Sequence, residues 1–235
     1  MGLTSDKNIS KQILKGCIVA ALLLSVFFFL SLEKNSQNKI PASKQDAKIS
    51  SPEDSIRNHK AIDSAISILR SGDLVLRRGA DVTSYMFSHT NQKNKSYSHC
   101  GLVMIENGYP FVYHSIGGED NPNGRLRRDS ASFFFSPANN LAFGIARFDM
   151  PDSTIERLKQ IVREFYNEHR KFDVNFDLKT DDRLYCSEFV YKAVNKACRD
   201  TNYIKPVSIL GFSYVGIDNL FINPHAKLIW QVKFK

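Results

Sequence analysis

The stretch HCGLVMIENGYPFVYHSI, residues 99–116, decides how this chain is read. Two β-rich runs flank Asn107-Gly108, a dipeptide suited to a two-residue hairpin because both positions tolerate positive φ. A turn centred there pairs residues whose numbers sum to 215. His114 then faces Gly101, and His99 sits two residues along the diagonal. Side chains alternate across a strand, so both imidazoles leave the same face, with Cβ atoms roughly 5.5–8 Å apart. Gly101 leaves the space between them open. A turn of odd length would slip the register by one and send the rings to opposite faces.

Reading outward, Ser51 and Pro52 open a helix with the apolar stripe Ile62, Ala65, Ile66 and Leu69, and Gly72 stops it. DLVLRR (residues 73–78) reads as a short strand and residues 84–89 as a helical turn. After Ile116 comes a loop rich in Gly, Asn and Pro, then RLRR (125–128) and FFF (133–135). Arg125, Arg127 and Arg128 read as a solvated loop, with phosphate or carboxylate contact as the other reading. Phe133, Phe134 and Phe135 read as core before acyl pocket or bilayer contact. LAFGIARF (141–148) is a strand. PDSTIERLKQIVREFY (151–166) is a helix, with Ser153 and Glu156 at capping-box spacing and Ile155, Leu158, Ile161, Val162 and Phe165 on one face. Residues 171–184 are an irregular loop, and KLIWQVKF (227–234) is a last strand. The mix specifies an α+β domain with an antiparallel sheet.

LYCSEFVY, residues 184–191, places a thiol where a helical pattern begins. Phe189, Val190, Ala193, Val194 and Ala197 continue that pattern as a buried stripe, so Cys186 stands at the helix mouth. The dipole and free N–H groups there favour an anion, which lowers a thiol's pKa and offers donors to an oxyanion. Taken alone, a small apolar residue in the first turn explains Cys186 better. A nucleophile also needs a base, and the base an orienter. His59, His89, His169 and His225 fall in polar or loop positions and read as surface residues. His99 and His114 are the pair that geometry joins. Zinc held by His99, His114 and Cys186 is a weaker alternative, because no fourth ligand suggests itself.

The formal charge of +8 is not evenly spread: the first fifty residues hold seven lysines against three acids, the other 185 only 25 basic against 21 acidic residues. A folded part so mildly basic argues against nucleic-acid binding. Lys7, Lys11 and Lys15 make a basic segment, residues 1–15, ahead of the apolar run GCIVAALLLSVFFFLSL, residues 16–32. Its length suits a transmembrane signal anchor, and no small-residue cleavage site follows; a long cleaved signal peptide is the alternative. Lysines ahead of the run place the domain on the extracytoplasmic, periplasmic side of a cell membrane. Residues 33–51 are polar and read as a flexible linker, and 52–235 form the domain. The four cysteines, at 17, 100, 186 and 198, make no disulfide scaffold and no zinc ribbon; a Cys100–Cys198 pair stays open.

SGDLVLRRG, YSHCGLV, YPFVYHS and LYCSEFVYKA occur in this order. Together they resemble the YiiX/YebB-like cysteine hydrolases, a branch of the NlpC-like, circularly permuted papain superfamily, over about residues 71–198. The permutation puts the histidine strand before the cysteine helix. The resemblance implies Cys186 as nucleophile, His99 as base and His114 at the third, polar position, which is often an acid in relatives. It implies a small antiparallel sheet bearing the histidines, packed against the cysteine helix. It also implies acyl transfer through a thioester, without cofactor or metal, on a cell-wall peptide or an acyl lipid. Tyr185 and Asp173 are weak candidates for the substrate pocket, and Glu188 reads as structural. A lipid acyltransferase of the lecithin:retinol acyltransferase type, or a non-catalytic binding module on the same fold, are the competing functions.

Overall fold

The computed structural model describes residues 51–118, 121–209 and 211–234. Helix α1 (Pro52–Ser67) leads into β1 (Leu74–Gly79), α2 (Val82–Ser88), β2 (His99–Glu106) and β3 (Tyr109–His114). Then follow β4 (Arg127–Ser130), α3 (Ala131–Phe134), β5 (Asn140–Phe148) and α4 (Asp152–Asn167). The cysteine helix is α5 (Cys186–Cys198). A hairpin of β6 (Val207–Ile209) and β7 (Phe212–Tyr214), the short α6 (Ile217–Phe221) and β8 (Ala226–Lys233) complete the order. Six strands form one antiparallel sheet in the order β4-β3-β2-β1-β5-β8, and β6-β7 stand apart from it. The apolar run at 16–32, expected to span a membrane, lies outside the described residues. Among the described residues no helix is long and apolar enough to cross one.

The sheet separates two cores, and strand alternation assigns each side chain to one of them. On one face Leu74, Leu76, Cys100, Leu102 and Met104 pack against Leu158 and Val162 of α4 and Phe189, Val190, Ala193 and Val194 of α5. On the other, Val75, Val103 and Val112 pack against Ile62 and Ala65 of α1 and Phe134 of α3. Burying each large apolar side chain contributes roughly 1.5–3 kcal/mol, and this double burial holds the sheet. α1 starts as its sequence specifies: Ser51 Oγ accepts from the Asp54 N–H at 3.0 Å, with Pro52 in the first turn.

Two local expectations change. The capping box at Ser153 and Glu156 does not form: the N-cap is Pro151, without a side-chain cap, and Glu156 pairs with Lys159 at 2.9 Å. Of the basic patch only Arg125 stays exposed in a loop, ahead of β4. Arg127 and Arg128 belong to β4, an edge strand whose polar residues carry no period-2 apolar pattern, and both are ion-paired. Arg128 is held by Glu106 and stacks on Phe111. Phe134 and Phe135 are fully buried, as core residues, while Phe133 is half exposed.

Candidate active site

The hairpin register is the one the turn specifies. Glu106 pairs with Tyr109 and Leu102 with Tyr113, and Asn107 and Gly108 take φ of 50° and 84°. His99 and His114 therefore share a face, with Nε2 of His99 2.8 Å from Nδ1 of His114. The diagonal repeats one strand further. His114 pairs with Arg127, Asp129 lies two residues along, and its Oδ2 is 2.9 Å from His114 Nε2. Arg127 donates to Asp129 at 2.9 Å. On the other side Arg77 pairs directly with His99. A polar row thus crosses four strands in the order Arg77, His99, His114, Asp129, roofed by the Phe134 ring.

Gly101 makes the first diagonal possible. A Cβ there would lie 2.7 Å from the Tyr113 carbonyl oxygen and 2.9 Å from His114 Cβ. Gly101→Ala is expected to destabilise the domain by about 1–3 kcal/mol, as overpacking does, and to part the two rings. Urea unfolding of the variant measures this, and an unchanged midpoint would show that the strands absorb the methyl group.

The row's proton order follows from its last member. An ionised carboxylate only accepts, so His114 donates from Nε2, accepts at Nδ1, and His99 donates from Nε2. His99 Nδ1 is left as the free base. Burial opposes the Asp129 charge, but the bonds from His114 and Arg127 outweigh it and hold this acid below the usual carboxylate range. Burial pushes His99 well below its ordinary value, and the Arg77 and Arg127 cations and His114 add to that. His114 is lowered by burial against the pull of Asp129. Both rings are thus neutral bases near pH 7.

Cys186 opens α5 as expected, with Tyr185 as N-cap and the Tyr185 N–H donated to Glu188 Oε2 at 3.1 Å. The neighbouring Cys100 thiol leads in lowering the Cys186 thiol, with the Ser187 and Cys100 amides adding to it and burial opposing, while burial raises Cys100 well above an ordinary thiol. Because the Cys100 amide joins it to His99, the sulfur lies one peptide group from the histidine. One expectation is refined here. α5 packs on the Cys100 face, whereas the imidazoles leave the opposite face, so the sheet lies between the sulfur and the rings. No hydrogen bond joins them among the described residues. Cys100 is also committed to Cys186 and not to Cys198, which lies at the far end of α5, about 18 Å away at 1.5 Å per residue.

Tyr185 and Asp173 brace the neighbourhood of the thiol. The Tyr185 hydroxyl accepts from the Val215 N–H at 2.9 Å, and its ring lies 5.0 Å from Phe176. Asp173 accepts from the Asn175 and Asp177 N–H groups at 2.9 and 2.6 Å. Both are buried. Asp129 is the residue that sequence reasoning missed. Its only signal was an acid directly after a basic patch, which means nothing until β4 is known to pair with β3. A cavity of about 250 Å³ is lined by Gly117, Phe172, Lys171 and Arg183, the last three residues upstream of the thiol. A larger one, about 560 Å³, lies at the far hairpin end around Asn107 and Arg163.

Glu188, fully buried, has its carboxyl pushed up to about 7, chiefly by burial, with Lys192 3.0 Å away pulling the other way. A raised acid stabilises the fold fully below its unfolded value near 4.5, and this contribution is lost as pH rises through about 7. Glu188→Gln is therefore expected to gain stability relative to the parent from pH 4.5 to 8, by on the order of 2–3 kcal/mol. Chemical denaturation across that range reads it, and a pH-independent difference would contradict it.

A thiol at a helix mouth, downstream of histidine strands on an antiparallel sheet, defines the class of permuted papain-like folds. The chain belongs to the permuted papain-like amidase family YaeF/YiiX, C92, whose description matches residues 68–208, more than half of it. It is accordingly of a hydrolase, amidase-like kind. Among solved structures it is similar to the metalloprotein YiiX of Escherichia coli O157:H7. That match has 16% identity and a TM-score of 0.58, and it covers 70% of this chain and 98% of that one. At that identity the likeness speaks for the fold. No curated protein matches the chain. The name of that relative raises a metal, but among the described residues no group of three or more His, Cys, Asp or Glu side chains is arranged to hold one.

Proposed function

We propose that the chain is a membrane-anchored cell-envelope thiol hydrolase that cleaves an amide or ester bond, with Cys186 as nucleophile, His99 as base and His114 as its orienter. The observation that carries this reading is the hydrogen-bonded row ending in His99 Nδ1, with the next residue in the chain, Cys100, set against the helix-mouth thiol. The Cys186 thiol gives its proton to His99 Nδ1, and the thiolate sulfur attacks the carbonyl carbon. Catalytic hydrogen bonds in free enzymes are often long and tighten with substrate, which accommodates rotation of the His99 ring towards sulfur. N–H groups of the first turn of α5 hold the oxyanion. His99 returns the proton to the leaving amine or alcohol, and a thioester stays on Cys186. Water attacks it, losing a proton to His99, which hands that proton back to sulfur as the acid leaves.

Anchoring through residues 16–32, with the domain on the periplasmic side, is supported by the apolar run and the lysines ahead of it. A cell-wall peptide or an acyl lipid is the substrate class this placement favours. Mass spectrometry of the protein after exposure to envelope extract and an acid quench tests the chemistry. An acyl adduct on the peptide containing Cys186 is expected, and an unmodified peptide under turnover conditions would overturn the reading. Release of the acyl group to an acceptor other than water would make the enzyme a transferase.

A further inference from the structure

Two exposed apolar elements border the thiol. In the β6-β7 hairpin, Val207 pairs with Tyr214 and Ile209 with Phe212, so these four side chains share one face. The opposite face is Ser208 and Ser213, bonded to each other at 2.7 Å. Ile209 and Phe212 are 46% and 52% exposed. A two-stranded hairpin is marginal in water by itself, and one with its apolar face outward calls for a cover. α2 presents Val82, Tyr85 and Met86, at helical spacing on one side, 68%, 57% and 53% exposed. The Tyr214 hydroxyl donates to the Thr90 carbonyl just past α2, which joins the two elements.

Both stand at the reacting end of the sheet. Val215, directly after β7, donates its N–H to the Tyr185 hydroxyl, and its carbonyl accepts from Ser187 Oγ. These residues flank Cys186. α2 follows the end of β1, where Arg77 pairs with His99. Charge around the rim is predominantly positive. Arg78, Lys93 and Lys95 outnumber Asp81 around α2, and Lys205 is the sole charge between residues 201 and 216. Apolar and aromatic residues bordered by cations fit the interface of an anionic bilayer. The polar linker 33–51 ends at the start of α1, which leaves the domain within reach of the membrane that residues 16–32 would enter.

We infer that the β6-β7 hairpin and α2 form a membrane-docking rim that sets the mouth of the thiol site against an anionic bilayer, so that the bond cleaved belongs to a membrane-borne molecule. This rests on the anchoring proposed above, and the experiment separates the two. The full chain carrying Trp230→Phe and Phe212→Trp is reconstituted into phosphatidylglycerol-containing vesicles with dibrominated acyl chains. A matched protein carries Tyr109→Trp instead, at a still more exposed site at the far hairpin end. Co-sedimentation of both proteins reads the anchor, and its failure would overturn the anchoring alone. A ring lowered roughly 5–10 Å into the headgroup boundary meets the bromines, so at least about twofold greater quenching is expected for the Phe212→Trp reporter. Equal quenching of the two reporters would overturn docking. Shielding of the Phe212→Trp reporter from acrylamide without bromolipid quenching would also overturn it, and would hand the rim to a second copy or a protein partner.

Discussion

Cys186→Ala is expected to lower kcat/KM on the native substrate by at least about 10⁴-fold while the fold stays intact, because the acyl group then has no atom to bond to. The residual rate would come from binding and the N–H groups of the α5 mouth. The stability change should be small, since α5 keeps its buried stripe from Phe189 to Ala197. Alkylation gives an independent measure. Cys198 is raised to about 11 and Cys100 well above the ordinary thiol range, both by burial, whereas Cys186 is lowered by its hydrogen bonds. Iodoacetamide near pH 7 should therefore mark Cys186 ahead of the other two, at a rate that levels off below pH 8.5. Full activity in the alanine variant would end the thiol mechanism.

Asp129→Asn should cost about 10²–10⁴-fold in kcat with KM little changed, for a reason the row makes explicit. Arg127 donates to Asp129, so in the amide variant it claims the one remaining oxygen. The new NH₂ then faces His114 Nε2. His114 must accept there and carry its proton on Nδ1, which turns His99 Nε2 into an acceptor and puts the His99 proton on Nδ1. The ring then points an N–H at the thiol and cannot take its proton. Nitrogen NMR of the two imidazoles should show both tautomers reversed, a change that loss of packing would not produce. Asp129→Glu, which restores an acceptor, should recover part of the rate. A variant with native tautomers and a native rate would remove Asp129 from the mechanism.

How much of this was legible beforehand depends on the reach of each signal. The Asn107-Gly108 turn sets the register locally, so the shared face of His99 and His114 was readable from the strand arithmetic alone. The apolar stripe of α5 and the position of Cys186 at its mouth were readable in the same way, because helical periodicity is local. β4 was not. An edge strand buries little, so its residues RRDS carry no alternation, and only pairing with β3 reveals it. The β6-β7 hairpin and α6 were equally silent, since their apolar residues are too few to mark a period. The capping box at Ser153 failed for a related reason: Pro151 preset the backbone two residues earlier than the motif requires.

By itself the sequence determined the order of the histidine strands and the cysteine helix, the turn that aligns two histidines and the helix that presents a thiol, because each is specified within a dozen or so neighbouring residues. Only the tertiary structure decided that a carboxylate from β4 terminates the imidazole row, that Cys100 and not Cys198 neighbours Cys186, and that the imidazoles and the cysteine helix take opposite faces of the sheet. Those relations join residues 15 to 90 positions apart, and the free energy that selects them comes from packing two cores against one sheet, a quantity no local pattern carries.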